Sequence, residues 1–306
     1  MTFQQLKYII TIAECGSITS AAQKLFITQP SLSKAVADLE SEMGITIFYR
    51  NNRGVYLSKD GLRFLSYARQ IMEQVRLLEQ QYKKKEPIRR VFSISAQHYA
   101  FVVNAFVVLV KKHEKSNYEF TLRESRTFDI IEDVRTYKSE LGILFLSNFN
   151  REIISRIIQN ADLKFTPLFT AKPHVFISRT NPLAKKVCVT LNDLKKFPRL
   201  TFEQGADNSF YYAEEPHITE ETNKNIIVTD RATLFNLIIG LDGYTISSGI
   251  LSSDLNGTDI VAIPLESNEI MEIGYIIQTN RPLSKIGKRY LEYLKNYINQ
   301  FDFSKK

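Results

Sequence analysis

The residues whose chemistry is most readily assigned lie at the start of the third predicted helix. This helix begins at the N-cap Thr28 and carries Pro30 in its first turn, where a missing N–H costs nothing. Three apolar side chains form its predicted buried face: Leu32, Val36 and Leu39. Four polar side chains then face outward: Gln29, Ser31, Ser33 and Lys34. A glutamine amide can bond adenine bidentately, serine can contact bases or phosphates, and lysine suits phosphate. The pattern predicts a surface that reads DNA, with Thr28 and Pro30 as further contacts, although helix initiation alone would explain Pro30.

Two helices are predicted before this third helix. Thr2 and Gln5 have capping-box spacing, and Gly16 ends the first helix. The core face of that helix is predicted to carry Phe3, Leu6, Ile9, Ile10 and Ala13. Ser17 caps the short second helix, whose inward residues are Ala21, Ala22 and Leu25. Two short helices separated by a tight turn, the second with small polar residues at its start, describe a helix-turn-helix.

A β-hairpin is predicted next. Its strands, 47–50 and 55–57, are joined by the turn Asn51-Asn52-Arg53-Gly54. Arg50 and Arg53 near its tip suit contact with phosphates or the minor groove, as a wing. Solvated loop arginines are the alternative, and the position directly after the DNA-reading helix favours the wing.

Ser58 is the predicted cap of a fourth helix that reaches about Lys84, a length of about 39 Å. Apolar residues at alternating three- and four-residue steps form a narrow stripe along it: Leu65, Ala68, Met72, Val75 and Tyr82. A narrow stripe on so long a helix predicts pairing with a second copy. Packing against the chain's own body is the alternative. The run Lys83–Pro87 is predicted to break the helix as a hinge.

Basic charge is concentrated in this first part. The chain carries a net charge of +7, of which residues 1–90 contribute +6 and the remaining 216 residues +1. This division predicts a polyanion-binding head on a body with another task. No apolar run approaches the roughly 18 residues of a membrane span, and the N-terminus lacks a secretory signal, so we expect a cytoplasmic protein.

Cysteine and histidine usage argues against redox and metal chemistry. Cys15 and Cys188 both lie among apolar neighbours, and we expect both to be buried. Cys188 stands alone in the C-terminal part, which disfavours a thiol-based sensor. The four histidines have no metal-ligand spacing, so neither a metal site nor a cofactor is expected. Without a nucleotide-binding glycine fingerprint or a nucleophile–base pair, an enzyme is not expected either.

From residue 91 strands alternate with helices. The first predicted strands are 91–95, 118–124 and 141–146, with helices at 97–112 and 129–137 between them. A second unit begins near Phe165, with strands 174–178, 199–202, 226–229 and 244–247. A strand at 271–278 and a helix at 285–297 then return to the first unit. Such α/β layers predict binding sites at the C-terminal ends of the strands.

The segment Phe3–Gly61 resembles the N-terminal domain of the LysR-type transcriptional regulators. The blocks AAQKL, TQPSLS, LE-x-E-x-G and IF-x-R occur in order at the family's spacing, and a looser similarity continues to the C-terminus. The resemblance implies operator recognition through the start of the third helix, Gln29 to Lys34, with Arg50 and Arg53 on the wing. It also implies dimers through the long helix, often joined into tetramers. The effector domain of that family has two lobes and is similar to periplasmic solute-binding proteins.

The predicted fold class is therefore α/β with an all-helical head. A winged helix-turn-helix spans 1–58, a linker and dimerisation helix spans 59–86, and an effector-binding domain spans 87–306. Within that domain, lobe I covers about 91–161 and 267–306, and lobe II covers about 162–266.

The cleft between the lobes is the predicted effector site. Seven residues are expected to line it: Ser95, Gln97, His98, Tyr99, Ser125, Thr127 and Gln204. Hydroxyls, an amide and helix-start N–H groups favour an anionic or carboxylate-bearing ligand. Local caps and turn bonds are the alternative for each residue taken singly. A ligand that touched Gln97, Thr127 and Gln204 together would favour closure of the lobes.

Two tracts, NSFYYAEE and TDRATLFNLIIGLDGYTISSGIL, resemble a Gram-positive subgroup of these regulators associated with methionine and cysteine supply. The expected partners are double-stranded operator DNA, a small anionic or amino-acid-like effector and further copies of the chain, with RNA polymerase as a candidate and no membrane. The alternatives are a response to an unrelated metabolite or to redox state. An extracellular solute-binding protein is excluded by the basic head and the missing signal.

Overall fold

The computed structural model describes residues 1–51, 54–82, 90–115, 117–205 and 209–301, and it describes only the backbone of residues 80–82, 253 and 254. Two compact units follow one another along the chain, Met1–Arg89 and Arg90–Lys306. The predicted hinge Lys83–Pro87 lies outside the described residues.

The first unit is helical apart from one hairpin. Its elements in chain order are α1 (Phe3–Cys15), α2 (Ile18–Lys24), α3 (Gln29–Met43), β1 (Phe48–Asn51), β2 (Gly54–Leu57) and α4 (Lys59–Tyr82). The predicted caps are confirmed: Thr2 and Gln5 form a capping box, Ser17 and Thr28 cap α2 and α3, and Gly16 ends α1 in the left-handed conformation. Side-chain caps thus fix where the first three helices begin.

The core of this unit forms where α1, α2, α3 and the hairpin meet. Leu32, Val36 and Leu39 are buried there, as their spacing predicts. On α1, Leu6, Ile9 and Ile12 are buried, whereas Phe3 is 57% exposed. The prediction that Phe3 belongs to the core face is therefore wrong, because the packed face of α1 begins at Leu6, one turn later.

Helix α4 begins against the hairpin and then leaves it. The Ser58 hydroxyl accepts a hydrogen bond from the Gly61 N–H at 2.8 Å, which confirms the predicted cap. Gly61 is required here, since a Cβ atom would lie 2.0 Å from the Ile47 carbonyl oxygen. Leu65 and Ala68 are 2% and 1% exposed within the unit itself. Assigning these two side chains to a dimer interface was wrong, because the unit's own packing covers them.

The second unit contains two five-stranded sheets. Its strands are β3 (Arg90–Ala96), β4 (Tyr118–Glu124), β5 (Leu141–Leu146), β6 (Leu163–Ala171), β7 (His174–Ser178), β8 (Arg199–Phe202), β9 (Asn225–Val228), β10 (Tyr244–Ser247), β11 (Ile260–Pro264) and β12 (Met271–Gln278). Its helices are α5 (Ala100–Lys112), α6 (Thr127–Arg135), α7 (Arg151–Asn160), α8 (Leu191–Leu194), α9 (Arg231–Leu241), α10 (Ser253–Asn256) and α11 (Lys285–Ile298), with short 3-10 helices at Pro182–Lys185 and Phe210–Tyr212.

The sheets define the two lobes. Lobe I has the strand order β4-β3-β5-β12-β6, and lobe II has the order β11-β7-β10-β8-β9. Three neighbouring strands of each sheet are parallel, β4, β3 and β5 in lobe I and β10, β8 and β9 in lobe II. Strands β12 and β7 run antiparallel to their neighbours. Strand β6 pairs with β12 along its whole length, so residues 163–171 belong to lobe I. The predicted start of lobe II at 162 is therefore about ten residues too early.

Helices cover both faces of the lobe I sheet. One core packs α5 and α11 against β3, β5 and β12, with Phe92, Phe101 and Tyr290 fully buried. The other packs α6 and α7 on the opposite face through Ile130, Val134 and Ile154. This layering leaves the C-terminal ends of β3 and β4 at an edge where side chains can converge.

The solvent exposure of the two cysteines differs from the expectation that both are buried. Cys15 is half-buried, but Cys188 is exposed, so its predicted burial is wrong. The expectation rested on the apolar neighbours of Cys188, but only one of them belongs to the core: Val189 is buried, whereas Val187 is 89% exposed. Among the described residues, no helix is both long enough and apolar enough to cross a membrane.

Candidate functional site

The start of helix α3 presents one polar edge. Thr28, Gln29, Pro30, Ser31 and Lys34 are exposed, and Ser33 is half-buried. The Thr28 hydroxyl accepts a hydrogen bond from the Ser31 N–H at 3.3 Å and lies 2.8 Å from the Ser31 hydroxyl. All six residues predicted from the sequence therefore lie at the helix N-terminus, whose partial positive charge favours phosphate.

Gln29 is the side chain of this edge best suited to a base. Its Nε2 donates a hydrogen bond to the Ser33 hydroxyl at 2.9 Å, one turn further along α3. The amide retains a second N–H and an acceptor oxygen, which is the pair that adenine N7 and N6 require. The Ser33 contact limits the freedom of the amide, which reduces the entropy lost when it binds.

The hairpin is fixed to α3 by one carboxylate. Glu40 Oε1 accepts hydrogen bonds from the backbone N–H groups of Ile47 at 2.6 Å and Phe48 at 3.0 Å. Arg50 on β1 is exposed. Arg53, the second wing arginine, lies outside the described residues. Glu40 thus sets the position of the base of the wing relative to the polar edge of α3.

In the second unit, polar side chains lie close together at the ends of β3, β4 and β8. Ser95 is the exception. It is fully buried inside lobe I, where its hydroxyl donates to Asp133 Oδ2 at 2.6 Å and lies 2.8 Å from the Ser139 hydroxyl. The prediction that Ser95 lines the cleft is wrong, because these bonds tie β3 to α6 in the lobe interior.

Gln97, Thr127 and Gln204 come together, but they bind one another. Gln97 Nε2 donates to Thr127 Oγ1 at 2.7 Å, and the Thr127 N–H donates to Gln204 Oε1 at 3.4 Å. The Thr127 hydroxyl donates to the Tyr212 carbonyl at 2.7 Å. Gln97 Oε1 accepts from the Phe145 N–H at 3.0 Å and from the Tyr99 hydroxyl at 3.1 Å. The protein's own hydrogen bonds therefore bridge the two lobes at this point.

Glu214, which sequence reasoning missed, connects this cluster to His98. It is 5% exposed, and its Oε2 accepts from the His98 N–H at 3.0 Å and lies 2.9 Å from His98 Nδ1. Its Oε1 accepts from Gln204 Nε2 at 3.3 Å. Burial lowers the pKa of His98, but the charge and hydrogen bond of Glu214 outweigh burial, so that pKa is raised overall.

The adjacent carboxyl, Glu215, has a different environment. Burial and the neighbouring Glu214 charge raise its pKa to about 8. Its Oε1 accepts from the Phe202 N–H at 2.8 Å, while Oε2 is buried without a hydrogen-bond partner. Glu215 is therefore largely a neutral acid near pH 7. Its only signal in the sequence is a pair of adjacent acids in an aromatic tract.

A third carboxylate lies at the end of β4. Glu124 Oε1 is 3.2 Å from Arg231 Nη2, close enough for an ion pair but without hydrogen-bond geometry. Burial raises the pKa of Glu124, and the Arg231 charge offsets part of that effect. Each residue lines a part of the cleft that His98 also lines.

The cleft consists of two chambers with one shared wall. The His98 and Phe202 rings stack with centroids 3.8 Å apart and both line each chamber. The outer chamber, about 220 Å³, is lined also by Glu124, Ser125 and Arg126. The inner chamber, about 30 Å³, is lined also by the side chains Tyr99, Glu214, Glu215, Arg231 and Phe235. The outer space suits a small metabolite, and the inner one holds a water or two.

The described residues bring no group of three histidine, cysteine or acidic side chains together as a metal site would need.

Two family models match the chain. The model of the bacterial regulatory helix-turn-helix protein, lysR family, matches residues 3–62, and that of the LysR substrate binding domain matches residues 112–299. The second match alone covers more than half of the chain.

Individual relatives agree with these matches. The transcriptional dual regulator GltC of Bacillus subtilis (strain 168) is 25% identical over 319 aligned residues, which cover 99% of each chain. TdcA of Escherichia coli (strain K12), an HTH-type transcriptional regulator, is 24% identical, with 96% of this chain and 92% of the relative covered. The solved structure of a full-length OxyR variant from Pseudomonas aeruginosa has a TM-score of 0.61 at 19% identity, covering 98% of this chain and 95% of that one. This last likeness shows the fold alone.

Proposed function

Because the chain belongs to the LysR family of DNA-binding transcriptional regulators, we propose that the first unit reads an operator through the start of α3. The observation that carries this proposal is the exposed polar edge of that helix, with Gln29 held by Ser33. Gln29 reads a base, Ser31 and Ser33 contact bases or phosphates, and Thr28, Pro30 and Lys34 complete the contact surface. Arg50 and Arg53 on the wing bind the backbone or the minor groove.

Two copies bind together through the outer half of α4. Met72 and Val75 are half-buried in the single chain, and Leu78 next to them is 58% exposed. The Tyr82 side chain is outside the described residues. The rest of the first unit leaves this apolar stripe partly exposed, which supports pairing of α4 with the same helix of a second copy. The assembly would be a dimer or a tetramer.

The cleft of the second unit takes a small effector, which modulates operator binding or activation. Of the residues predicted for this cleft, His98, Tyr99 and Ser125 line its chambers. Gln97, Thr127 and Gln204 are buried beside them and hydrogen-bond one another, so the sequence-based expectation that these three line the open space is wrong. A carboxylate-bearing or amino-acid-like molecule fits the donors at the start of α5. Sulfur amino acid supply as the regulated process rests on the resemblance of the two C-terminal tracts alone. The protein acts in the cytoplasm as a regulator and not as an enzyme, with RNA polymerase as a further candidate partner.

Selection from a pool of random duplex DNA with the full chain tests the proposal. We expect enrichment of one sequence with two related half-sites, as a symmetric dimer requires. A thermal-shift screen of the same protein against amino acids and sulfur metabolites then identifies the effector, which should change affinity for the selected DNA. A pool that stays random after repeated rounds would contradict operator recognition.

A further inference from the structure

The carboxylate of Glu214 occupies a site built for an anion. The site lies just before α5, a helix of 13 residues whose N-cap Tyr99 makes no side-chain capping hydrogen bond. The N-terminus of a helix carries partial positive charge. Three donors converge on the carboxylate: the His98 N–H at 3.0 Å, His98 Nδ1 at 2.9 Å and Gln204 Nε2 at 3.3 Å. Glu214 itself is 5% exposed, so these bonds form away from bulk water, where charge-assisted bonds are strongest.

These donors are among those that the sequence assigns to an effector's carboxylate. His98 and Gln204 are separated from Glu214 by 116 and 10 residues in the chain, and the carboxylate comes from lobe II while His98 belongs to lobe I. We propose that Glu214 is an internal ligand that fills the anion subsite of the cleft, and that a carboxylate-bearing effector competes with it. The competition step rests on the proposed function of the cleft; the anion subsite does not.

Electrostatics favours displacement over binding beside Glu214. Glu124 and Glu215 lie in the same cleft, and burial together with the Glu214 charge raises the pKa of Glu215, which is largely neutral near pH 7. A further anion would be repelled by the carboxylates of Glu214 and Glu124. A carboxylate that replaces Glu214 leaves the number of negative charges at the His98 donors unchanged, so exchange meets a smaller electrostatic cost.

Exchange would also act on the connection between the lobes. Glu214 belongs to the segment 209–217, which Arg199 anchors to lobe II through the Pro216 and His217 carbonyls. On its other side the segment contacts lobe I, where the Tyr211 ring stacks on the Phe149 ring with their centroids 4.9 Å apart. A free carboxylate would make the same contact with His98, but unlike Glu214 it would not be covalently attached to lobe II. The ligand would therefore have different affinities for the joined and separated states, as a conformational response requires.

Chemical rescue tests the proposal. In the full-length Glu214→Ala variant, acetate should bind in place of the missing side chain and stabilise the protein. We expect an acetate affinity at least about ten-fold higher than in the wild type, measured by thermal shift and by calorimetry at constant ionic strength with chloride as the balancing anion. Glu220→Ala is the matched control, because Glu220 is an exposed acid close by in the chain. It should respond to acetate as the wild type does.

Glu214→Ser provides a second variant with a smaller loss of polarity. If either variant folds only with acetate present, that rescue supports the subsite. The proposal is overturned if acetate affects both variants no more than Glu220→Ala, or if it binds the wild type equally well. No DNA or effector enters this measurement, so its failure would leave operator recognition intact, and a failed operator selection would leave the acetate result intact.

Discussion

Two ionisable residues of the cleft make the second unit sensitive to pH. Glu215 has a pKa raised to about 8, and the pKa of His98 is also raised. For both groups the folded-state value lies above the unfolded one, so each contributes stability that is complete below its unfolded pKa. Each contribution is lost as pH rises through the folded value. The free energy of unfolding should therefore fall between about pH 5 and pH 9.

Replacing Glu215 by Gln removes the larger of these effects. The amide keeps an oxygen for the Phe202 N–H and cannot ionise, so the variant should be more stable than the wild type at pH 9 by at least about 1 kcal/mol. At pH 5 the two proteins should be nearly equal. Urea unfolding at both pH values measures this, and parallel pH profiles would show that Glu215 ionises normally.

At the scale of single elements, local signals predicted most of the architecture. Caps at Thr2, Ser17 and Thr28 fix the starts of three helices, and β4, β5, β7, β8, β10 and β12 have the predicted bounds. Strand β6 was not predicted because LKFTPLFTA contains a proline and lacks a clear alternation of buried and exposed residues. Its place in lobe I follows from pairing with β12, about a hundred residues later in the chain.

The cleft was predictable only in part for the same reason. Gln97, His98, Thr127 and Gln204 could be placed from strand ends and helix starts. Their partner Glu214 could not, because a contact across 116 residues leaves no local pattern. Burial of Ser95 likewise depends on Asp133 and Ser139, which only the folded sheet brings to it.

The outer half of α4 gives a prediction for assembly. Val75→Asp would place two unpaired charges in the helix pair, and burying them is expensive. We expect the dimer to dissociate and DNA affinity to fall through lost bivalency. Gln74→Asp, which adds the same charge at the exposed neighbouring position, is the control. Light scattering that finds the Val75→Asp oligomer unchanged would place the interface elsewhere.

For the whole molecule, the uneven charge assigns DNA binding to the first unit. Arg50→Ala should weaken binding to operator and random DNA alike and reduce the salt slope by about 0.9, the value for one phosphate. Arg156→Ala removes the same charge from an exposed ion pair on the second unit and should change neither quantity. Fluorescence anisotropy over a range of salt concentrations measures both slopes, and identical slopes for Arg50→Ala and the wild type would remove Arg50 from the backbone contacts.

Base reading by the polar edge of α3 is the central claim, and competition between selected operator and random DNA at fixed salt tests it most directly. Gln29→Ala should weaken operator binding by about 1–3 kcal/mol and leave random DNA almost unaffected. Gln4→Ala, an exposed glutamine on α1, should change neither affinity. Equal losses on both DNAs for Gln29→Ala, or no loss on the operator, would contradict the account.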